Sequence, residues 1–418
     1  MKIKDNLKNN NLLKNTIMLY ILQFSTYFFA FITVPYQTRI MGISVYGKIG
    51  FATSIMVYFQ LLIDFGFILS ATEEIARHRE NKELCSKVFT CVTVSKIILM
   101  VISLIFLRIL FIFTPMIRED FHLYILFWLA TCLNSLIPDY LYRGLEQMRA
   151  ITIRTVGIKM FFTIMIFIFL RKPSDYYIIP ILNIIGSIVA IIGVYIHLTK
   201  KLKIKFINIE FREIINTLKT SSGFFYSRIA STAYGASNSI ILGFVDPTGT
   251  FNGIYSSAEK LVSTARSGMT PIADSIYPYM IKNKDFKLIK KILKLVMPII
   301  LCGCLVVFIF AESICVFLFG SEFINAANVL KCLIPIILIT LPSYMLGFPT
   351  LGAMGLNKEA NNSILIGSII HIINITFLLI TNNINLITLA MSTTMAELVI
   401  LIYRVMIIYY HRRKIKNN

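Results

Sequence analysis

The chain has 418 residues, 56% of them hydrophobic, with a mean hydropathy of +0.74. Soluble domains sit near about 45–50% apolar, so this composition excludes an ordinary soluble domain and points to a polytopic membrane protein. A net charge of +20 would mark a nucleic-acid binder in a soluble chain. Cytoplasmic loops of membrane proteins gather Lys and Arg, so no nucleic-acid partner is expected. The seven scattered cysteines, most of them in apolar segments, argue against a disulfide framework and a metal site.

The basic start MKIKDNLKNNNLLK resembles a signal peptide. The apolar run 15–34 exceeds a usual h-region and no A-x-A site follows, so it is expected to open the first span, 15–38, with its basic flank inside. Further spans are expected at 45–70, 88–112, 121–142, 155–170 and 176–197. The second half adds 220–244, 252–280, 295–319, 325–349, 361–381 and 384–410. A crossing needs about 20 residues, so 155–170 is short and is expected to extend back into the basic stretch before it. With twelve spans and both termini inside, 29 of the 41 Lys and Arg fall on inner segments and 5 on outer ones. Without the eighth span, the lysines of 282–294 would lie outside, against the positive-inside bias.

Several ionisable groups lie within these spans, where they are expensive and face a wet cavity or one another. Gln23, Thr26, Thr33 and Gln37 form a stripe on the first span, suited to sugar hydroxyls or to a helix–helix seam. Arg39, at the outer end, guides a leaving anion or anchors the interface. Asp64 in the second span is a candidate proton or sodium site. Asp139 follows Pro138 near the inner end of the fourth span, as a cap or loop contact.

Residues 199–219, TKKLKIKFINIEFREIINTLK, are expected to form an amphipathic helix on the cytoplasmic surface. They divide the chain into six-span lobes, 1–198 and 220–418. An even span count per lobe makes them parallel repeats. The Val45–Ile49 stretch and its weak echo at 250–255 open the second and eighth spans.

The stretch 221–282 is too polar for hydropathy alone to predict that it crosses, yet the charge balance needs it to cross twice. Arg228, Ser231, Thr232, Gly235 and Asn238 share one helix face, and Glu259, Ser263, Arg266, Thr270 and Asp274 share another. Arg266, near the middle of its span, is either a ligand for an anion or the ion-pair partner of Glu259. Arg228 lies nearer the inner surface and is as well suited to snorkelling. A guanidinium suits phosphate because its planar fork donates two parallel hydrogen bonds. Pro271 removes a helix hydrogen bond just beyond Arg266. Glu397 is a second ion-coupling candidate, or a bridge to Arg404 seven residues on. A lone His371 on an apolar span is expected to be an interhelical hydrogen-bonding group.

Thr38-Arg39-Ile40-Met41-Gly42 with Tyr46-Gly47, then Leu62–Phe67, resemble the first-hairpin pattern of bacterial polysaccharide repeat-unit flippases. These are the O-antigen (Wzx-type) exporters of the MOP superfamily, which also holds the multidrug MATE pumps and the lipid II flippase. Gly253–Leu261 resembles the second-half counterpart. The resemblance implies an all-α membrane protein of about twelve transmembrane helices in two six-helix lobes. It implies transfer of undecaprenyl-diphosphate-linked oligosaccharide to the outer leaflet of the bacterial cytoplasmic membrane by alternating access. No resident cofactor is implied. The driving force would be a proton or sodium gradient, and the partners would be membrane lipids, a polysaccharide polymerase and chain-length machinery. On this reading Arg266, Arg228, Arg39, Gln23 and Asn238 contact diphosphate or sugar, and Asp64, Glu259 and Glu397 serve ion coupling. A MATE-like drug or cation antiporter is the alternative, favouring acidic over basic cavity residues. A membrane enzyme is disfavoured, since no G-x-S-x-G, Walker or metal-spaced His motif occurs.

Overall fold

The structure, a computed structural model, describes residues 2–417; the side chains of 1–16, Leu19, Ser227, Ala230, Ser231, Ala233, Tyr234 and 412–418 lie outside that description. Two compact units emerge, Met1–Met41 with Phe51–Ile229, and Gly42–Gly50 with Ala230–Asn418. Every regular element among the described residues is helical.

In the first unit, α1 (Lys2–Asp64) runs as helix on both sides of Gly42. Gly42 has φ 71°, a left-handed conformation that a side chain would strain, and the expected break between the first two spans falls there. After α2 (Phe67–Arg77), Asn81 caps α3 (Lys82–Phe113), its side chain accepting from the backbone N–H groups of Glu83 and Leu84. The short α4 (Pro115–Glu119) leads to α5 (Phe121–Ser135) and α6 (Asp139–Gly144), separated at Pro138. Then come α7 (Met148–Phe169) and α8 (Ile178–His197). Thus the short fifth span does extend back, and Arg149, Arg154 and Lys159 ride on its helix. Phe67, Ile75, Phe89, Val92, Tyr140 and Tyr142 form the core of this unit.

The 199–219 surface helix is corrected by the structure. Residues 203–210 form no helix, Lys203 being left-handed at φ 57°, and α9 (Phe211–Val245) starts only at Phe211. Leu202, Ile204 and Phe206 alternate with lysines at period two, the signature of extended chain rather than helix. Ile204 is buried, and Phe206 packs on Phe89 with ring centroids 4.8 Å apart. The backbone amides of Lys205 and Ile207, which a helix would have paired internally, donate to the Ser86 and Thr90 hydroxyls at 3.2 Å each. Lys87 on α3 then pairs with Glu213 in the first turn of α9. That contact holds the Glu213 carboxyl below the usual carboxylate range and the Lys87 ammonium above its own.

The second unit is built around α13 (Ala326–Met345), whose Leu330, Leu333, Ile334 and Leu341 are buried. Against it pack α10 (Thr250–Asn283), α11 (Phe286–Ile309), α12 (Ala311–Phe319) and α15 (Leu386–Asn417), with α14 (Asn357–Ile380) on α15. The Gly42–Gly50 stretch lies on the start of α10. A Cβ on Gly47 would stand 1.7 Å from the Gly249 carbonyl oxygen, so the two stretches that echo each other in sequence cross at glycine contact. Expected span 295–319 is broken at Phe310, and 325–349 ends in a wide turn, Leu346–Gly352, containing Gly347 and Pro349.

Nine helices among the described residues are long and apolar enough to cross a membrane, the first running Tyr20–Arg77 through both limbs of α1. Counting it as two and adding the more polar α9 and α10 gives twelve. The chain is an all-α, multi-pass membrane protein.

Candidate functional site

Helix α10 holds several of its hydroxyls within itself. Ser257 donates to the Ile254 carbonyl, Thr264 to that of Lys260, and Ser267 to that of Ser263, at 2.7–2.9 Å. Such back-bonding satisfies small polar side chains in apolar surroundings, which lets so polar a helix persist. It is continuous through Pro271 and Pro278.

One of its charged side chains is held by α15. Arg266 is ion-paired to Glu397, the Arg side chain 22% exposed and the Glu 5%. Both alternatives drawn from spacing within one helix therefore give way to a pairing across helices. Arg404 meanwhile donates to the Ser343 carbonyl at 2.6 Å and the Ser363 hydroxyl at 2.9 Å. One turn N-terminal to Glu397, Thr393 accepts from Asn238 Nδ2 at 2.7 Å, and the same nitrogen donates to the Tyr255 hydroxyl at 2.6 Å. Asn238 Oδ1 is buried without a partner among the described residues.

Arg266, Asn238, Tyr255 and Thr393 line one cavity of about 120 Å³, with Glu397 behind Arg266. Its polar wall is Asn238, Tyr255, Thr393, Glu259, Ser263 and Arg266, and Val262, Leu333 and Ile336 close the apolar side. No ion pair or hydrogen bond reaches the Glu259 carboxylate among the described residues. The cavity is well below the roughly 300–1,000 Å³ of pockets that enclose a drug-sized ligand. It can take a small ion, a few waters or one phosphate-sized group, and it offers both a guanidinium and a free carboxylate. Of the sequence candidates, Asn238, Glu259, Arg266 and Glu397 are thus brought together.

Gln23, Arg39, Asp64 and Arg228 belong to the first unit. Asp64 Oδ1 receives the Lys96 ammonium at 2.9 Å, which also donates to the Ser135 carbonyl at 2.6 Å. Gln60 bridges Asp64 Oδ2 at 2.7 Å and the Ser135 hydroxyl at 2.8 Å. Lys96 had no role assigned from sequence, although a lone cation inside an apolar span requires an acceptor. Among the described residues Gln23 makes only a long contact, 3.5 Å, to the Tyr27 hydroxyl. On the same stripe Thr26 accepts from Lys159 of α7 at 2.8 Å. Arg39 is exposed and Arg228 half-buried. The expected face partner Ser231 has its side chain outside the described residues. His371 lies between the Ser237 and Ser392 hydroxyls, 3.3 and 3.2 Å away.

The family model described as "Polysaccharide biosynthesis protein" matches residues 12–284. The chain is 26% identical over 376 residues to the "Putative O-antigen transporter" of Escherichia coli (strain K12), covering 87% of this chain and 89% of that one. A protein of the same name from Shigella dysenteriae is 27% identical over 292 residues, 67% of this chain and 70% of its own. Among solved structures, the lipid II flippase MurJ in its inward closed conformation aligns with a TM-score of 0.65 at 13% identity, covering 95% of this chain and 87% of its own. An inward-facing multidrug resistance MATE family transporter of the MOP superfamily scores 0.65 at 12% identity, covering 93% and 98%. At such identities the likeness is one of fold.

Proposed function

Because the chain belongs to the polysaccharide biosynthesis protein family, we propose that it is a flippase for lipid-linked oligosaccharide. It carries an undecaprenyl-diphosphate-linked repeat unit from the inner to the outer leaflet of the bacterial cytoplasmic membrane by alternating access, for O-antigen or a related surface polysaccharide. The observation that carries this reading is Arg266, near the middle of α10, partly exposed and lining a polar cavity. A guanidinium suits phosphate because its planar fork donates two parallel hydrogen bonds. The diphosphate passes this group while the polyprenyl tail stays in lipid. Polysaccharide polymerase and chain-length proteins receive the product.

Asp64 and Glu397 are each ion-paired, so Glu259 is the carboxylate we assign to a driving proton or sodium ion. The partnerless Asn238 Oδ1 in the same lining supports this. One observation favours a second reading, a MATE-like cation antiporter: two carboxylates, Glu259 and Glu397, face a single guanidinium. Purified protein in liposomes decides between them. The flippase moves a fluorescent undecaprenyl-diphosphate oligosaccharide to the far leaflet and leaves a cationic dye untouched. Gradient-driven dye export without lipid transfer would replace this reading with the second.

A further inference from the structure

Helix α11 turns an unusual face outward. Lys287, Lys290, Lys291 and Lys294 recur at three- and four-residue spacing, so they form one stripe along about two turns. All four are exposed, while Ile289 and Cys304 bury the opposite face. The lysine stripe continues, at the same spacing, into exposed apolar residues: Leu301 is 47% exposed, Leu305 53% and Ile309 70%.

A basic helix end alone would mean little. At several other helix ends, however, basic side chains are neutralised: Arg77 by Glu73 at 2.5 Å, Arg79 by Glu146 at 3.1 Å, Arg154 by Asp139 at 2.6 Å, and Lys87 by Glu213. The four α11 lysines have no acidic partner among the described residues. The nearest carboxylate in sequence, Asp285, is engaged as the helix cap, accepting from the backbone amides of Lys287 and Leu288 at 3.1 and 3.2 Å. Four cations directly beyond a lipid-facing stripe match a diacyl lipid with a negatively charged headgroup, because the phosphate meets the ammonium groups while the tails lie on the apolar stripe.

We propose that the outer face of α11 is a binding surface for anionic phospholipid. The surface is separate from the Arg266 cavity and does not depend on what the protein transports. Native mass spectrometry of the full chain in detergent mixed with phosphatidylglycerol or phosphatidylcholine tests it. Phosphatidylglycerol is expected to be retained selectively. Replacing all four lysines by Gln should weaken that retention on the order of a thousandfold, and the Lys290→Gln/Lys291→Gln pair should weaken it in part. A control with Lys200, Lys201, Lys203 and Lys205 changed to Gln removes equal charge and should keep it, as should four Lys→Arg changes on α11. Equal loss in the control, equal retention of phosphatidylcholine, or the same stabilisation by water-soluble glycerol phosphate would overturn the proposal. Should the quadruple variant not fold, the Gln pair and the Arg variant carry the same comparison.

Discussion

At the scale of single residues, the decisive contact is Arg266 with Glu397. Removing one partner of a buried pair leaves the other charge uncompensated, which typically costs about 3–5 kcal/mol. Arg266→Gln and Glu397→Gln are therefore each expected to lower the melting temperature clearly, and the double variant to recover most of the loss. Thermal unfolding in detergent measures this. Transport then separates structure from recognition: a stable double variant that no longer flips lipid keeps Arg266 as a ligand, whereas one that flips at the wild-type rate reduces it to a strut. The carboxylates divide in the same way. Asp64 is already matched by Lys96, so Asp64→Asn should cost stability and leave the dependence on a proton or sodium gradient intact. Glu259→Gln should leave stability nearly unchanged and abolish that dependence. Gradient dependence that survives in Glu259→Gln and disappears in Asp64→Asn would reverse the assignment.

At the scale of elements, the 203–210 segment is held by two hydroxyl contacts and closed by the Lys87–Glu213 pair. The carboxyl of Glu213 is depressed, so the stabilisation is fully present above the ordinary carboxylate range and is lost as pH falls below about 4. Lys87 is raised, so its share holds below about pH 10.4 and is lost at higher pH. Hydrogen exchange of 203–210 should thus show protection at neutral pH that vanishes in acid and is already reduced in Glu213→Gln. Equal protection in variant and wild type at neutral pH would detach the pair from the segment. The extended form was visible in the alternation of Leu202, Ile204 and Phe206, but the charged residues between them also fit a surface helix. Only the Ser86 and Thr90 hydroxyls, far away in sequence, decide. The polar faces of α9 and α10 were legible because three- and four-residue spacing is a local property. The partners of Arg266, Asp64 and Asn238 were not, since spacing within a helix names only neighbours on that helix, and these contacts join separate helices.

At the scale of the molecule, membrane orientation depends on the two helices hydropathy alone would discard. Helix α10, from Thr250 to Asn283, is about 50 Å long at 1.5 Å per residue, ample for a hydrocarbon core of about 30 Å. If it crosses, Asp246–Asn252 lies outside and Lys282–Lys294 inside, and the six lysines of that second stretch obey the positive-inside bias. If it lies in the interface, both stretches share one side and those lysines face outward. Five of its hydroxyls (Ser257, Ser263, Thr264, Ser267 and Ser275) are bonded within the helix and Arg266 is paired with Glu397, so its polarity presents less of a barrier to crossing than its composition implies. Single cysteines introduced at Thr248 and Lys284, in a background freed of the seven native cysteines, give the answer. An impermeant maleimide should label position 248 in intact cells, and position 284 only after the membrane is opened. Labelling of 284 in intact cells would place both ends of α10 outside, and the twelve-span arrangement would fall with it.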